Sequence, residues 1–485
     1  MCKAIFVGMI LVLLSGCIAP PNEPVGKVEQ ALANASLTDI FARDLQFIYE
    51  EIRDNYVNLA YKEQTFGFSW DELYFDYADQ LGEVQTHKDF FRLASSFVSE
   101  LRDGHVMFSH HRDSPETERE TYDFNSSLKN IITVRLIEET PIIVESSAQF
   151  PIVGAEVLEI NGISFAQLVK EASQHFYFGA TDQAAITRVL ANQLYFEYLA
   201  LISQPFPAEL EITFRTSDGR RGDMRVNSQQ DYPATPRHRL NDLRLSRVPN
   251  RYPFYEINDK TAHIVVPTFD VNIEEFYDRV EQIVAELKET DINGVIFDLR
   301  GNGGGNESFR DLLSYLVSEE IVVATYRYRQ SPRMSEIYGL RPLYENLRGR
   351  RIGGEREQGY STWYHWKVQP NGEEFFQALP KVVLTDRLVF SSADGFVGTV
   401  MQYDLATVVG TEVALTGHGL PTPVLLPSGH YVMNYSFQEL RDPQFGHIEN
   451  VVKQPHILVE QTLEDYYQGI DTVLETAIRF LSKIE

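Results

Sequence analysis

The sequence predicts an α/β protein, α+β overall, and three patterns along its 485 residues support that class. Apolar residues recur at helical spacing over 36–109, and short apolar runs separated by turns fill 125–228. From about residue 255 onward, strands alternate with helices, which is typical of βαβ units and a largely parallel sheet. With 43% apolar residues the chain can bury several cores, which excludes a wholly disordered protein.

The N-terminal region is predicted to be helical. Its apolar positions are spaced by three and four residues, at Phe41, Leu45, Ile48, Ile52 and Tyr56. A second helix is expected from Lys88 to Leu101, with Thr86 as its cap. Asp103-Gly104-His105 follows, where Gly104 can stop the helix and His105 begins an extended run.

The middle region is predicted to be rich in strands, with a helix-rich stretch near 165–203. The expected strands are 131–136, 142–145, 157–160, 210–214 and 224–226. The segment Gly154–Gly162 resembles the strand and turn of a PDZ domain. We therefore expect an N-terminal helical domain at 36–120, a PDZ-like domain at 121–235 and a C-terminal core domain at 236–485.

The C-terminal region carries the clearest alternation. The expected strands are 264–266, 295–299, 382–384 and 407–409, and the expected helices are 273–288, 307–317 and 393–403. The stretch 325–375 has no clear period and is interpreted as an excursion at the edge of the site.

Charge and cysteine content exclude several functions. Acidic residues outnumber basic ones, 69 to 43, so a nucleic-acid partner would be repelled and is not expected. The two cysteines, Cys2 and Cys17, precede the body of the chain, so the body has neither a disulfide framework nor a Cys-based zinc site. No His-Glu-x-x-His pair occurs among the 12 histidines, and we expect neither a catalytic metal nor a cofactor.

The first residues have the form of an export signal. Lys3, an apolar run and Leu14-Ser-Gly-Cys17 resemble a bacterial lipoprotein signal, although an ordinary secretory signal with an incidental cysteine is the alternative. This resemblance implies a signal peptide at 1–16, acylation of Cys17 and a tether at 17–35. It also implies a bacterial cell-envelope location, with Ile18 favouring the outer membrane and the body periplasmic or surface exposed.

Two strand-to-helix turns carry the candidate chemistry. Asp298-Leu-Arg-Gly-Asn-Gly-Gly-Gly-Asn306 follows an apolar strand and precedes a helix, so its backbone amides can stabilise an anion. Ser391-Ser392-Ala393-Asp394-Gly395 opens another helix after a strand. A serine there can be exposed at the carboxyl edge of the sheet, or it can simply cap the helix.

Together these segments resemble the S41 family of serine peptidases, which includes the tail-specific processing proteases and the tricorn core. Asp103-Gly104-His105, Pro427-Ser-Gly429 and Ile448-Glu-Asn450 extend the likeness over roughly 40–485. The resemblance implies a ClpP/crotonase-like core and a polypeptide substrate. It makes Ser392 the nucleophile.

The resemblance also assigns the other site residues. It places the oxyanion hole at the amides of Gly303 or Gly304 and of Ala393. The lysine base of the processing proteases is missing, because Gly417-His418 stands at its position. On the tricorn-like pattern, His105 is the base and Glu449 supports it directly or through a relay.

Several alternatives stay open at this point. His418 is the alternative base, Asp394 is a second candidate for the supporting carboxylate, and His105 could be a structural turn residue. The function predicted is a lipid-anchored serine endopeptidase that cleaves unfolded or C-terminal polypeptide segments. The rivals are a catalytically inactive envelope protein of the same fold that binds peptides or apolar ligands, and a structural envelope lipoprotein. The sequence does not indicate the oligomeric state.

Overall fold

The computed structural model describes residues 36–114, 125–203, 205–235, 237–240, 250–334, 349–353 and 357–484, apart from the side chains of 349–353, 418 and 420. The expected signal peptide, Cys17 and the tether lie outside these described residues. Within them, no helix is both long enough and apolar enough to cross a membrane.

The N-terminal region is helical, as predicted. It contains α1 (Leu37–Asn55), α2 (Leu59–Phe66), α3 (Trp70–Ala78), a 3₁₀ turn (Asp79–Glu83) and α4 (His87–Ser99). The predicted cap is confirmed, because the Thr86 side chain accepts the Asp89 backbone N–H and the Asp89 carboxylate accepts the Thr86 backbone N–H. Strand β1 (Met107–His110) follows, so the turn that carries His105 connects a helix to a strand.

The middle region forms an antiparallel sheet in the order β2-β3-β4-β6-β7, with two further strands at its margins. A 3₁₀ turn (Ser126–Asn130) precedes it. The strands are β2 (Ile132–Ile137), β3 (Thr140–Ser147), β4 (Glu156–Ile160), β5 (Ile163–Ser164), β6 (Glu209–Arg215), β7 (Arg221–Asn227) and β8 (Arg237–Arg239). Helices α5 (Phe165–His175), α6 (Asp182–Asn192) and α7 (Leu194–Ile202) pack on this sheet through one apolar core.

The core sheet has the order β21-β16-β15-β11-β10-β9, and all its neighbouring pairs are parallel except β10 with β9. Its strands are β9 (Phe254–Asn258), β10 (Thr261–Val265), β11 (Gly294–Asp298), β15 (Lys381–Thr385), β16 (Thr407–Gly410) and β21 (Ile457–Leu458). The helices around it are α8 (Ile273–Lys288), α9 (Ser308–Ser314), α10 (Phe375–Ala378), α11 (Ser392–Gln402), α12 (Leu463–Gln468) and α13 (Thr472–Leu481). The predicted α/β class is therefore confirmed.

A second sheet joins distant parts of the chain. It has the order β1-β19-β12-β14-β13, and β18 pairs with β19. Its later strands are β12 (Ile321–Tyr328), β13 (Gly349–Gly353), β14 (Trp363–Val368), β18 (His418–Leu425) and β19 (Tyr431–Arg441), beside a small pair, β17 (Val413–Ala414) and β20 (Val452–Lys453). One apolar cluster unites this sheet with α1 and α4. The N-terminal helices thus share a core with C-terminal strands, and the domain boundaries drawn from the sequence stay predictions.

Candidate active site

The two predicted loops lie side by side at the carboxyl edge of the core sheet. They follow β11 and β15, which are parallel neighbours in the register Ile296 to Val382. Asp386 Oδ1 accepts the Gly301 and Leu388 backbone N–H groups, each at 3.0 Å. The sheet therefore places the glycine-rich loop against the segment that leads into α11.

Glycine at 304 allows this close approach. Gly304 has a φ of +91°, and a Cβ added there would lie 2.5 Å from the Phe390 carbonyl oxygen and 2.8 Å from Ser391 Cβ. Asn302 fixes the loop, since its Oδ1 accepts the Gly304 N–H at 2.9 Å and its Nδ2 donates to the Val266 carbonyl at 3.0 Å. The loop is therefore held rigidly beside the two serines.

The hydroxyl that faces His105 is that of Ser391, which corrects the expected pairing with Ser392. His105 Nε2 lies 3.1 Å from Ser391 Oγ. The Ser392 hydroxyl instead donates to the Gly305 carbonyl at 2.9 Å. The reason is the start of α11, which begins at Ser392 rather than at 393 and makes Ser391 the residue before the first helical turn.

Ser391 has a backbone conformation that non-glycine residues rarely adopt. Its φ is +56° and its ψ is −125°, and its side chain does not cap the helix. Such strain typically costs about 1–3 kcal/mol and persists only where the surroundings enforce it. Here Asp394 supplies part of the constraint, because its carboxylate accepts the Ser391 backbone N–H. Because the Ser391 hydroxyl does not cap the helix, it can interact with His105.

His105 is positioned by the turn between α4 and β1. Its backbone N–H donates to Asp103 Oδ1 at 2.8 Å, and Asp103 also accepts the hydroxyl of Tyr56. The imidazole stacks on the Phe390 ring, with 4.6 Å between the ring centroids. At Gly104 a Cβ would lie 2.7 Å from that ring, so only glycine lets the turn pack this closely.

Backbone amides are available beside Ser391. Of the amides predicted for the oxyanion hole, that of Gly304 donates to Asn302 Oδ1 and that of Ala393 donates to the Phe390 carbonyl at 3.1 Å. Within the described residues, the amides of Gly303 and Ser392 donate to no protein acceptor. The Ser392 amide directly follows Ser391, just as the predicted Ala393 amide directly follows Ser392. The donor pair free to bind an oxyanion is therefore Gly303 and Ser392.

Glu449 lies in a buried polar cluster beside the His105 turn. Its side chain is 2% exposed, forms an ion pair with Lys62 Nζ at 2.5 Å and accepts the Gly417 N–H at 2.5 Å. Lys62 is fully buried and also donates to the Arg102 carbonyl at 3.1 Å. Asn450 Nδ2 donates to the same carbonyl at 3.2 Å. The 449–450 segment is thus tied to the turn that ends at His105.

The other candidate residues lie around this centre. Burial raises the pKa of Asp394 well above its ordinary value, and bonds from Thr416 offset this only in part. His418 begins β18, but its side chain lies outside the described residues, so its candidacy as a base remains a prediction. Among the described residues, no group of three or more His, Cys, Asp or Glu side chains could hold a metal ion.

Arg300 fixes the start of the glycine-rich loop through ion pairs. It forms ion pairs with Asp298 at 2.7 Å and with Asp471 at 2.8 Å, and His263 Nε2 lies 3.0 Å from Asp298. Burial raises the pKa of Asp298, but the Arg300 charge and its hydrogen bonds outweigh this and leave that pKa well below its usual range. Asp298 and Arg300 therefore act as structural supports of the loop.

Sequence reasoning did not single out two residues of this centre, Ser391 and Lys62. Ser391 was considered together with Ser392, and the only signal that separates them is which residue begins the helix. Lys62 carried no signal, because a lysine in a short helix is ordinarily solvated and its partner Glu449 lies 387 residues away.

Comparison with known proteins finds one family model and several solved structures that resemble this chain. Residues 260–459 match the model of peptidase family S41. The solved structure of mature CPAF has a TM-score of 0.63 and 17% identity, covering 93% of this chain and 97% of that chain. The CPAF s499a mutant gives a TM-score of 0.66 and 16% identity, covering 93% and 98%. No curated protein matches the sequence.

A photosystem II D1 C-terminal processing protease aligns at 13% identity over 90% of this chain and 98% of that chain, with a TM-score of 0.43. The two CPAF structures establish a shared fold. Fold and family match together define the class of this protein, a serine-type peptidase. Residues 260–459 carry the sequence pattern of peptidase family S41.

Proposed function

We propose that this peptidase cleaves unfolded or C-terminal polypeptide segments through an acyl-enzyme on Ser391, with His105 as the base. The observation that carries the proposal is the 3.1 Å approach of His105 Nε2 to Ser391 Oγ. A separation within hydrogen-bond reach allows proton transfer between a nucleophile and its base. An imidazole suits this role because its ordinary pKa of about 6.5 lies near neutral pH.

In the acylation step, His105 Nε2 takes the hydroxyl proton while Ser391 Oγ attacks the carbonyl carbon of the scissile bond. The oxyanion that forms accepts hydrogen bonds from the Gly303 and Ser392 amides. Collapse of the intermediate breaks the C–N bond, and His105 returns the proton to the leaving amine. Water then hydrolyses the ester with the same base. Preorganised oxyanion donors typically contribute about 3 kcal/mol each to lowering the barrier.

Glu449 has the supporting role in this proposal. Its carboxylate is buried and charge-paired, and the contacts of Lys62 and Asn450 with the Arg102 carbonyl couple it to the turn before His105. A fixed turn keeps the imidazole in register with Ser391, which reduces the reorganisation needed for proton transfer.

We further propose that the enzyme is exported and anchored to the bacterial cell envelope through acylated Cys17. The support is the Leu14-Ser-Gly-Cys17 sequence and the apolar run before it. Expression with radiolabelled palmitate should label the wild-type protein in the membrane fraction. A Cys17→Ser variant that keeps the label would contradict the anchor.

A fluorophosphonate probe tests the nucleophile, because it forms a stable ester only with an activated serine. We expect one adduct, located by mass spectrometry on the peptide that contains Ser391. Ser391→Ala should remove both the adduct and hydrolysis of an unfolded substrate such as casein. Ser392→Ala is the matched control and should keep the adduct. Labelling that depends on Ser392 instead would overturn the assignment, and no labelling at all would favour an inactive binding protein.

A further inference from the structure

Arg188, on α6, is a buried arginine that forms no ion pair with any residue that the structure describes. Arg188 is 4% exposed, and its Nη2 donates a hydrogen bond to the Leu388 carbonyl at 2.7 Å. Within the described residues, Nε of Arg188 has no hydrogen-bond acceptor and no carboxylate forms an ion pair with the guanidinium. Arginine is seldom buried unless it is paired, because the desolvation of the charge is then not compensated.

Two aromatic rings hold this guanidinium next to the reaction centre. Its central carbon lies 4.8 Å from the centroid of Phe178 and 4.3 Å from that of Phe390. Phe390 immediately precedes Ser391, and its ring also stacks on His105. Burial lowers the pKa of Arg188 to about 10, and the more distant charges of Asp386 and Asp394 offset this only in part. The group is still a cation at neutral pH.

The guanidinium lines a narrow cleft that is partly open to solvent. Thr181, Phe390, Arg387 and Glu412 are among the other lining residues. Arg387 is fully paired, with Glu412 at 2.7 Å and Glu460 at 2.6 Å. Among the charged residues that line this cleft, Arg188 is therefore the one that forms no ion pair with a described residue.

We infer that Arg188 forms a substrate subsite beside Ser391 that binds a carboxylate of the polypeptide being cleaved. The inference rests on the proposed function, since cleavage at Ser391 is what makes this cleft part of a substrate site. A planar guanidinium matches a carboxylate, and a partly desolvated pair gives a stronger hydrogen bond than one in water. The carboxylate could come from an Asp or Glu side chain or from the C-terminus of the peptide.

Matched peptides test the subsite and separate the two sources. One series carries Glu or Gln at successive positions around the scissile bond, and a second series ends in a free acid or an amide. We expect wild-type kcat/KM to favour the carboxylate about 10- to 100-fold in one of the two series. The series that shows the preference identifies the source of the carboxylate.

Arg188→Met should reduce that ratio to about 1, and Arg188→Lys should restore part of it. Arg220→Met, at an exposed position of the same region, is the control and should leave the ratio unchanged. An equal loss for acidic and neutral peptides would mean that Arg188 only packs against the rings, and would overturn the inference. A wild-type enzyme that shows no preference in either series would overturn it as well, even if Arg188→Met does not fold.

Failure of the proposed function gives a different result. In that case the wild-type protein cleaves no peptide and takes no fluorophosphonate label at Ser391. The subsite is then tested by binding alone. The affinity of the inactive Ser391→Ala variant for the Glu and Gln peptides is measured by fluorescence anisotropy. Equal affinities for both peptides, and for the acid and amide forms, would overturn the subsite.

Discussion

His105 Nε2 and Ser391 Oγ lie 3.1 Å apart, although 286 positions separate the two residues in the sequence. The imidazole comes from the turn after α4, and the hydroxyl comes from the residue before α11. Their contact depends on the packing of the N-terminal helices against the second sheet and on the edge of the core sheet. The contact between His105 and Ser391 therefore forms only when these separate parts of the fold have packed together.

Removal of the imidazole should disable the enzyme. His105→Ala is expected to lower kcat about 10²- to 10⁴-fold, because the Ser391 hydroxyl loses its base. Peptide hydrolysis measures the loss, and circular dichroism checks that the variant is folded. His418→Ala is the companion variant and should show a smaller loss. The reverse order would make His418 the base.

Lys62→Met should destabilise the protein and reduce its activity. The variant leaves the buried Glu449 carboxylate without its cation, which typically costs about 3–5 kcal/mol. Urea unfolding measures the free energy, and kcat measures the effect on the His105 turn. Lys260→Met breaks an exposed ion pair with Asp291 and should cost less than about 1 kcal/mol. Similar losses in both variants would contradict the role given to Lys62.

Gly304→Ala should displace the segment that holds Ser391. The added methyl group would lie 2.5 Å from the Phe390 carbonyl oxygen, so that one of the two loops must move. We expect at least about a tenfold loss in kcat, since small displacements of reacting groups reduce rates strongly. Gly372→Ala is the matched control, because Gly372 also has a positive φ, +87°, but nothing within 4 Å of the added atom. Equal effects on kcat would show that the approach of the loops is unimportant.

Asp44 should make stability depend on pH between about 4 and 6. Burial raises its pKa to about 6, and hydrogen bonds from Ser428 and the charge of Arg43 offset part of that rise. The folded pKa exceeds the unfolded value of 3.8, so the contribution to stability is complete below the unfolded value. It is lost as pH rises through about 6, and the total change is about 3 kcal/mol.

Asp44→Asn removes this titration. The free energy of unfolding of the variant, minus that of the wild type, should therefore increase from pH 4 to pH 6 and then level off. Urea unfolding at each pH measures the difference. Asp278→Asn changes an exposed side chain and serves as the control. A difference that stays constant with pH would show that Asp44 is not held as the neutral acid.

The order and type of the core elements followed from sequence because these strands are buried on both faces. The predicted helix 273–288 has the observed bounds, and the strand predicted at 295–299 lies at 294–298. Continuous apolar runs and amphipathic periods are local sequence patterns, and the elements that they predict are present in the folded protein. The same reasoning brought the glycine-rich loop and the serine turn to one edge of the sheet.

The second sheet was not predicted, because its strands come from distant segments. Strands β12 and β14 lie within the stretch 325–375 or at its border, where the sequence shows no clear period. Adjacent serines posed a different difficulty, since a one-residue change in the start of α11 decides which hydroxyl faces His105. Local propensity does not define a helix start that closely.

The pairing of β1 with β19 has a consequence for how the enzyme is made. During translation the His105 turn leaves the ribosome long before Ser391. Lys62 can form its ion pair only after Glu449 has been synthesised. A nascent polypeptide that lacks these later segments therefore has no assembled reaction centre. The reaction centre forms only once β19 and the segment that carries Glu449 have been synthesised.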